Sequence, residues 1–403
     1  MGNAVLLPGL VNAHTHLELT ALRGFVTASS FREWIVRLQQ AKVEVMTRER
    51  YLDAARLGIL EGLTAGITTY ADSCDSGVSL QAMAELGVRG IMYQEVFGPD
   101  PRDARRSAEE LQSKLAAHRR CETALQRVGV SPHAPYTVSA ELYGAVTGIA
   151  EREALPMMLH AAESREESTL VASAAGPFAD ALRARGIAVG AHGCSPVALL
   201  HRLGVLRGRP LLAHCVQVDA EDLSLLADSG SSVAHCPISN ARLGHGVAPV
   251  VEMLRAGIVV GLGSDSMASN DRMHLLEESR SAVLLQRSRG SAGQEMTADH
   301  ALHLATLGGA KALGLDARIG SLEPGKDADL AAFDLGGLAT TPAFDPVRAA
   351  VFALGGSRAA LVAVEGSVLV RDGTPLAADP AIAARVRETA AALTRWRETR
   401  MTS

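Results

Sequence analysis

Short apolar runs alternate with longer stretches of helical periodicity along most of the chain. The runs fall at 6–18 (LLPGLVNAHTHLE), 66–73, 88–96, 128–136, 156–164, 210–219, 231–240 and 258–266. Repeated βα units wrap a parallel sheet, and eight of them predict a TIM-type (β/α)8 barrel. Intervening helices are legible at 30–42, 107–120 and 220–230, the last with Gly230 as its stop. After residue 318 the texture changes: 320–334 and 359–376 read as short strands joined by turns, among them Asp372-Gly373, and an amphipathic helix follows at 380–398. The chain is therefore expected to divide into a barrel at 1–318, a small and incomplete β-sandwich at 319–376, and a C-terminal helix at 377–403.

Within each run the polar residues come late. His14, His16, Asp72, Glu95, His133, His160 with Glu163, His214, His235 and Asp265 all follow the apolar part of their strand, at the functional end of such a barrel. A purely structural barrel gains nothing from desolvating ionisable groups at one end of nearly every strand. His14 and His16 are two apart, so on a strand they point to the same side and aim two imidazoles at one point. Alone, the pair also fits hydrogen-bonded histidines at a strand end. Joined by His160, His214 and Asp265 it makes a nitrogen-rich set with one carboxylate, suited to zinc and next to Fe(II).

Composition narrows the class. With 403 residues, 47% hydrophobic, the chain can bury a large core. A net charge of -5 without a basic stripe argues against nucleic acid as a partner. Cys74, Cys121, Cys194, Cys215 and Cys236 are scattered and form no CxxC pair, so they are expected as free thiols. The chain shows neither a long uncharged apolar run nor a leader-like start, and the expectation is a cytoplasmic protein without a membrane partner.

The stretches PGLVNAHTH, HAAES, LAHCV, HCPISNARLGHGVAP, GLGSDS and IGSLEPGKDADL, in this order from residue 5 to about 335, resemble the amidohydrolase superfamily and its deaminase and chlorohydrolase branch. The resemblance implies that His14, His16, His160 and Asp265 bind one divalent metal, with His214 and Glu163 beside it as catalytic groups along with Asp265. A binuclear site of this family uses a carboxylated lysine on strand four, which SPHAPY lacks, so one ion is expected. Glu95 is expected beside the site, not bridging a second ion. Glu163, in HxxE, would protonate a ring nitrogen, a step that an aromatic C–NH2 carbon needs before it accepts a nucleophile.

The resemblance also places Trp34 over the base and His133 against the substrate. ELTALRG, SFREW, SPHAPYTVS and HAAESREE are most similar to aminodeoxyfutalosine deaminases of menaquinone synthesis, which implies 6-amino-6-deoxyfutalosine as the small-molecule nucleoside substrate. Arg32 would then meet its carboxylate. The alternatives are S-adenosylhomocysteine or methylthioadenosine, then an s-triazine or chloro-heterocycle. A metal-free scaffold is the reading of a different class. His235 and His245 are expected at the pocket edge, where other residues would serve equally, and His118, His192, His201, His274, His300 and His303 as solvated or helical. The chain begins closer to the first barrel strand than the resemblance implies. Either its start is shortened or its small domain is reduced, with open strand edges that would invite a homodimer.

Overall fold

The computed structural model describes residues 3–26, 30–289 and 296–401. The first apolar run is two strands, separated at Pro8-Gly9: β1 (Ala4–Pro8) leaves for an antiparallel sheet, and β2 (Leu10–His16) begins the barrel. Gly9 makes the corner where the backbone passes Thr68, whose side chain occupies the space a Cβ would need.

The barrel continues through β3 (Ile67–Cys74), β4 (Arg89–Val96) and β5 (Gln126–Pro132), paired in parallel with β2 in that order. A second parallel arc holds β6 (Met158–Ala161), β7 (Leu211–His214), β8 (Ser232–His235) and β9 (Val260–Leu262). The amides of Val130 and His160 donate to the carbonyls of Pro156 and His133, at 3.0 and 2.8 Å, and join the arcs on one side. On the other, the eighth strand breaks at Gly263-Ser264 and resumes as β10 (Asp265–Ser266), with Asp265 opposite Thr15 of β2. A side chain at Gly263 would collide with the His14 carbonyl, so glycine lets β2 and the eighth strand approach closely enough to close the ring.

Every residue of β2, β3 and β4 is buried, which explains their near-continuous apolar or small character. Val11, Ala13, Ala71, Ile91, Tyr93, Met158, Leu211 and Ala234 fill the barrel interior. Outside it, the small domain is one antiparallel sheet in the order β1, β11 (Leu330–Asp334), β12 (Leu361–Val364), β13 (Ser367–Arg371), β14 (Thr374–Pro375). The N-terminal strand thus supplies an edge to a sheet otherwise built from the far end of the chain. Asp372 and Gly373, both at positive φ, turn β13 into β14 as their sequence suggests. A helix at Pro346–Ala353, capped by Asp345, interrupts this region and was not among the expected elements.

Two helices connect β2 to β3, and the first of them lines the cavity above the barrel. Ser30 caps α1 (Phe31–Val45) by accepting from the Glu33 amide, and Thr47 caps α2 (Arg48–Thr64) in the same way. The C-terminal helix Ile382–Met401 is tied to α2 by Arg385, which donates to both oxygens of Asp53 at 2.7 and 3.1 Å. It also buries Leu393 in a cluster with Leu22, Leu38 and Ala41, and so braces α1 from behind. His274 departs from the solvated position expected of it: it is buried ahead of the helix Leu275–Arg289, with Nε2 3.1 Å from the Ser357 carbonyl. Among the described residues, no helix is long and apolar enough to cross a membrane.

Candidate active site

His14 and His16 end β2, His160 lies on β6, His214 ends β7 and Asp265 opens β10. The barrel gathers them in two overlapping groups, His14 with His16 and His160, and His14 with His214 and Asp265, each with its ligand atoms within 4.8 Å of one another. Nε2 of His16 is 3.2 Å from Nε2 of His160, and Asp265 Oδ1 lies 3.6 and 3.7 Å from Nε2 of His14 and His16. The carboxylate–imidazole separations are too long for hydrogen bonds. They are close to the edge of about 3.3 Å that bonds of roughly 2.0–2.1 Å subtend in a tetrahedral ion site.

The donor set fits a divalent ion. Nε2 of His14 is buried with no hydrogen-bond partner, a cost that a ligated cation would remove. Burial lowers the pKa of His14, His16 and His160, the last to about 3, so all three present neutral imidazoles, the form that ligates. The His160 Nδ1–H donates to the His133 carbonyl at 3.0 Å, which leaves Nε2 with its lone pair toward the site. Burial alone would raise the pKa of Asp265, but its closeness to the His14, His214 and His16 imidazoles holds it well below the usual carboxylate range. Its second oxygen accepts from Ser239 and Ser269 at 2.5 and 3.0 Å.

The backbone at these strand ends is unusual for its residues. Ala162, His214 and Asp265 lie at φ of 51°, 75° and 56°, a left-handed region that costs a non-glycine residue about 1–3 kcal/mol and persists only where surrounding contacts enforce it. Glu167 supplies those contacts for Ala162: one carboxylate oxygen accepts from the Ala162 amide at 2.9 Å and the other from the Glu163 amide at 2.8 Å. Burial pushes Glu167 up to about 8 despite these bonds. Glu167→Ala should strand two buried N–H groups and let Glu163 drift. The expected result is a fall in kcat of roughly tenfold or more with a lowered Tm, checked by kinetics and thermal melting on one preparation.

A cavity of about 410 Å³ opens above the cluster. Of the residues singled out in the sequence, His16, Trp34, His133, His160, Glu163, His214 and Asp265 line it, while His14 lies beneath. Phe31, Trp34, Ile35, Leu38 and Lys42, a stripe at helical spacing on α1, form one wall. Phe97 and Tyr136 add aromatic surface to the lining. Thr137 donates its hydroxyl proton to the Ala134 carbonyl and lies 2.7 Å from His133 Nδ1. It therefore accepts from Nδ1–H, and His133 Nε2 is left as an acceptor for a substrate. Glu163 Oε1 is 3.7 Å from His214 Nε2, and His214 Nδ1 donates to Asn240 Oδ1 at 2.9 Å.

Arg32 is not among the residues that line this cavity. Besides Lys42 the lining includes the exposed Arg185, at the end of the helix Gly176–Ala184, a loop residue no motif pointed to. Asp72 also stands apart: its carboxylate accepts from the Leu17 amide at 2.6 Å and so fixes the chain just after His16. His235 is buried with both ring nitrogens unpartnered and is absent from the cavity wall. His245, expected to be inconsequential, places Nε2 3.3 Å from Glu163 Oε1. Glu95 lines the cavity with one unpartnered oxygen 4.0 Å from His16 Nδ1; its carboxylate, His133 and His160 also converge closely enough to hold an ion.

A parallel barrel with imidazoles and a carboxylate gathered at the strand ends, under a cavity that holds a further buried acid, defines a metal-dependent hydrolase of the (β/α)8 class. The chain belongs to the amidohydrolase family, whose model matches residues 5–369. It is 34% identical over 373 residues to a 5-methylthioadenosine/S-adenosylhomocysteine deaminase of Moorella thermoacetica, covering 92% of this chain and 83% of that one. Among solved structures, an adenosine deaminase from Xanthomonas campestris with bound zinc superposes with a TM-score of 0.86 at 28% identity, covering 98% and 87% of the two chains. A zinc complex of atrazine chlorohydrolase from Arthrobacter aurescens does so with a TM-score of 0.83 at 27% identity, covering 97% and 88%. Family, site and relatives together make the protein a hydrolytic deaminase.

Proposed function

We propose that the protein removes ammonia from an adenine-type nucleoside enlarged at its 5′ position, with 6-amino-6-deoxyfutalosine as the substrate. One zinc ion per chain is held by His14, His16, His160 and Asp265. The observation that carries the reading is the placement of Glu163 in the cavity wall beside His214 and the ligand cluster. When bound, the ion supplies a hydroxide nucleophile at neutral pH.

The protein's own groups then handle the protons. Glu163 takes one proton from the water and gives it to a ring nitrogen, which makes the adjacent amino-bearing carbon electrophilic. Asp265 accepts a proton from the attacking water, and His214 faces the oxygen that gains charge. Of the two water protons, one is retained on the ring nitrogen and the other leaves with the amine as ammonia. Trp34 and Phe31 supply a flat apolar wall for the base, and His133 Nε2 accepts from a sugar hydroxyl.

Arg185 supports the choice of an acidic tail, since a guanidinium at the rim pairs with a carboxylate. The second reading, S-adenosylhomocysteine or methylthioadenosine, is favoured by the names of the curated relatives. Steady-state kinetics with the three nucleosides decides between them. Arg185→Ala should lower kcat/KM for aminodeoxyfutalosine about tenfold and leave methylthioadenosine, whose tail is uncharged, within about twofold. Equal losses on both would remove Arg185 from substrate selection, and a tenfold preference of the unaltered enzyme for S-adenosylhomocysteine would replace the substrate.

A further inference from the structure

We infer that His245 is the positioning residue for Glu163, an inference that rests on Glu163 acting as the proton donor to the substrate ring. His245 is buried with its Nε2 otherwise unpartnered, and that nitrogen lies 3.3 Å from Glu163 Oε1, closer than His214 at 3.7 Å. Both imidazoles face the same oxygen. Oε2 is therefore the oxygen left for a ring nitrogen in the cavity that Glu163 lines.

The backbone is built to deliver this side chain. Gly244 and Gly246, at φ of 74° and 106°, flank His245 and let the loop after β8 turn its imidazole inward. The loop is pinned on both sides of the ring: the His245 amide donates to the Asn240 carbonyl at 2.9 Å, and its carbonyl accepts from Gln217 Nε2 at 2.6 Å. Asn240 in turn holds His214, so both groups on Glu163 Oε1 are anchored to one short segment. The edge of the His245 ring meets Phe31 at a centroid distance of 4.4 Å. Phe31 belongs to the cavity-facing stripe of α1, so the wall that would cover a base and the ring that orients the acid pack against each other.

The test compares His245→Phe, which keeps an aromatic ring against Phe31 and removes the donor, with His245→Gln, whose amide nitrogen falls near the place of Nε2. His245→Phe is expected to lower kcat about 10- to 100-fold, with KM changed less than about threefold and with unchanged Tm and metal content. His245→Gln should recover most of the rate. In the Glu163→Gln background, His245→Phe should cost less than about twofold, because residues that act as a unit are not additive. A rate for His245→Phe within twofold of the unaltered enzyme, a glutamine variant no better than phenylalanine, or independent costs that multiply would each overturn the proposal. A second arm needs no substrate: the imidazole resonances of His245, assigned by their loss in His245→Phe, should move when Glu163 becomes Gln, and unmoved resonances would refute the contact. Failure of the unaltered enzyme to release ammonia from any adenine nucleoside would reject the deaminase reading, and the resonance arm would still decide the contact.

Discussion

His16→Ala is expected to yield a folded protein without bound metal and without activity. His16 contributes a buried, neutral Nε2 that faces both His160 and Asp265, and its loss leaves the site without the nitrogen that joins those two groups. With three ligands left, the remaining imidazoles and carboxylate keep their desolvation cost but lose the arrangement that a cation would reward. Elemental analysis should fall from about one zinc per chain to background, and ammonia release should vanish with it. Chelation should lower the Tm of the unaltered protein and leave that of His16→Ala unchanged, since a ligand stabilises only the fold that binds it. Full metal content in the variant would show that the ligand set is wrong.

Glu163→Gln should keep the metal and lower kcat by at least about a hundredfold, the usual contribution of a general acid–base group being 10² to 10⁴. The amide occupies the volume of the carboxyl and its oxygen still faces His245, so packing and ligation are preserved. What it lacks is a proton to transfer. Metal content, Tm and kcat measured on one preparation check all parts of the expectation. A glutamine variant that retains nearly full rate on an aminated heterocycle would remove Glu163 from the proton path.

The barrel and the convergence of its strand-end histidines and Asp265 were legible because both follow from regular strand geometry. Alternation on a strand puts His14 and His16 on one side, and a parallel barrel gathers the strand ends that carry His160, His214 and Asp265. Positions set by loops were not legible. Nothing in the spacing of GHG says that two left-handed glycines turn His245 onto Glu163, and Arg185 reaches the rim only because of the path taken after the helix Gly176–Ala184. The first run hid a strand break, since Pro8-Gly9 interrupts an apolar pattern that is otherwise continuous between two different sheets. Glu167 carried a weak signal, a glutamate four residues beyond Glu163, but its role depends on the backbone at Ala162, which no residue type announces.

The central claim is that these residues deaminate an adenine-type nucleoside with the help of a bound ion. Ammonia release from aminodeoxyfutalosine, S-adenosylhomocysteine, methylthioadenosine and adenosine, with metal measured on the same purified sample, tests it most directly. The account predicts that at least one of the four loses its amino group in step with the ammonia formed, by protein carrying about one zinc per chain. Metal-replete protein that releases no ammonia from any of them would contradict it.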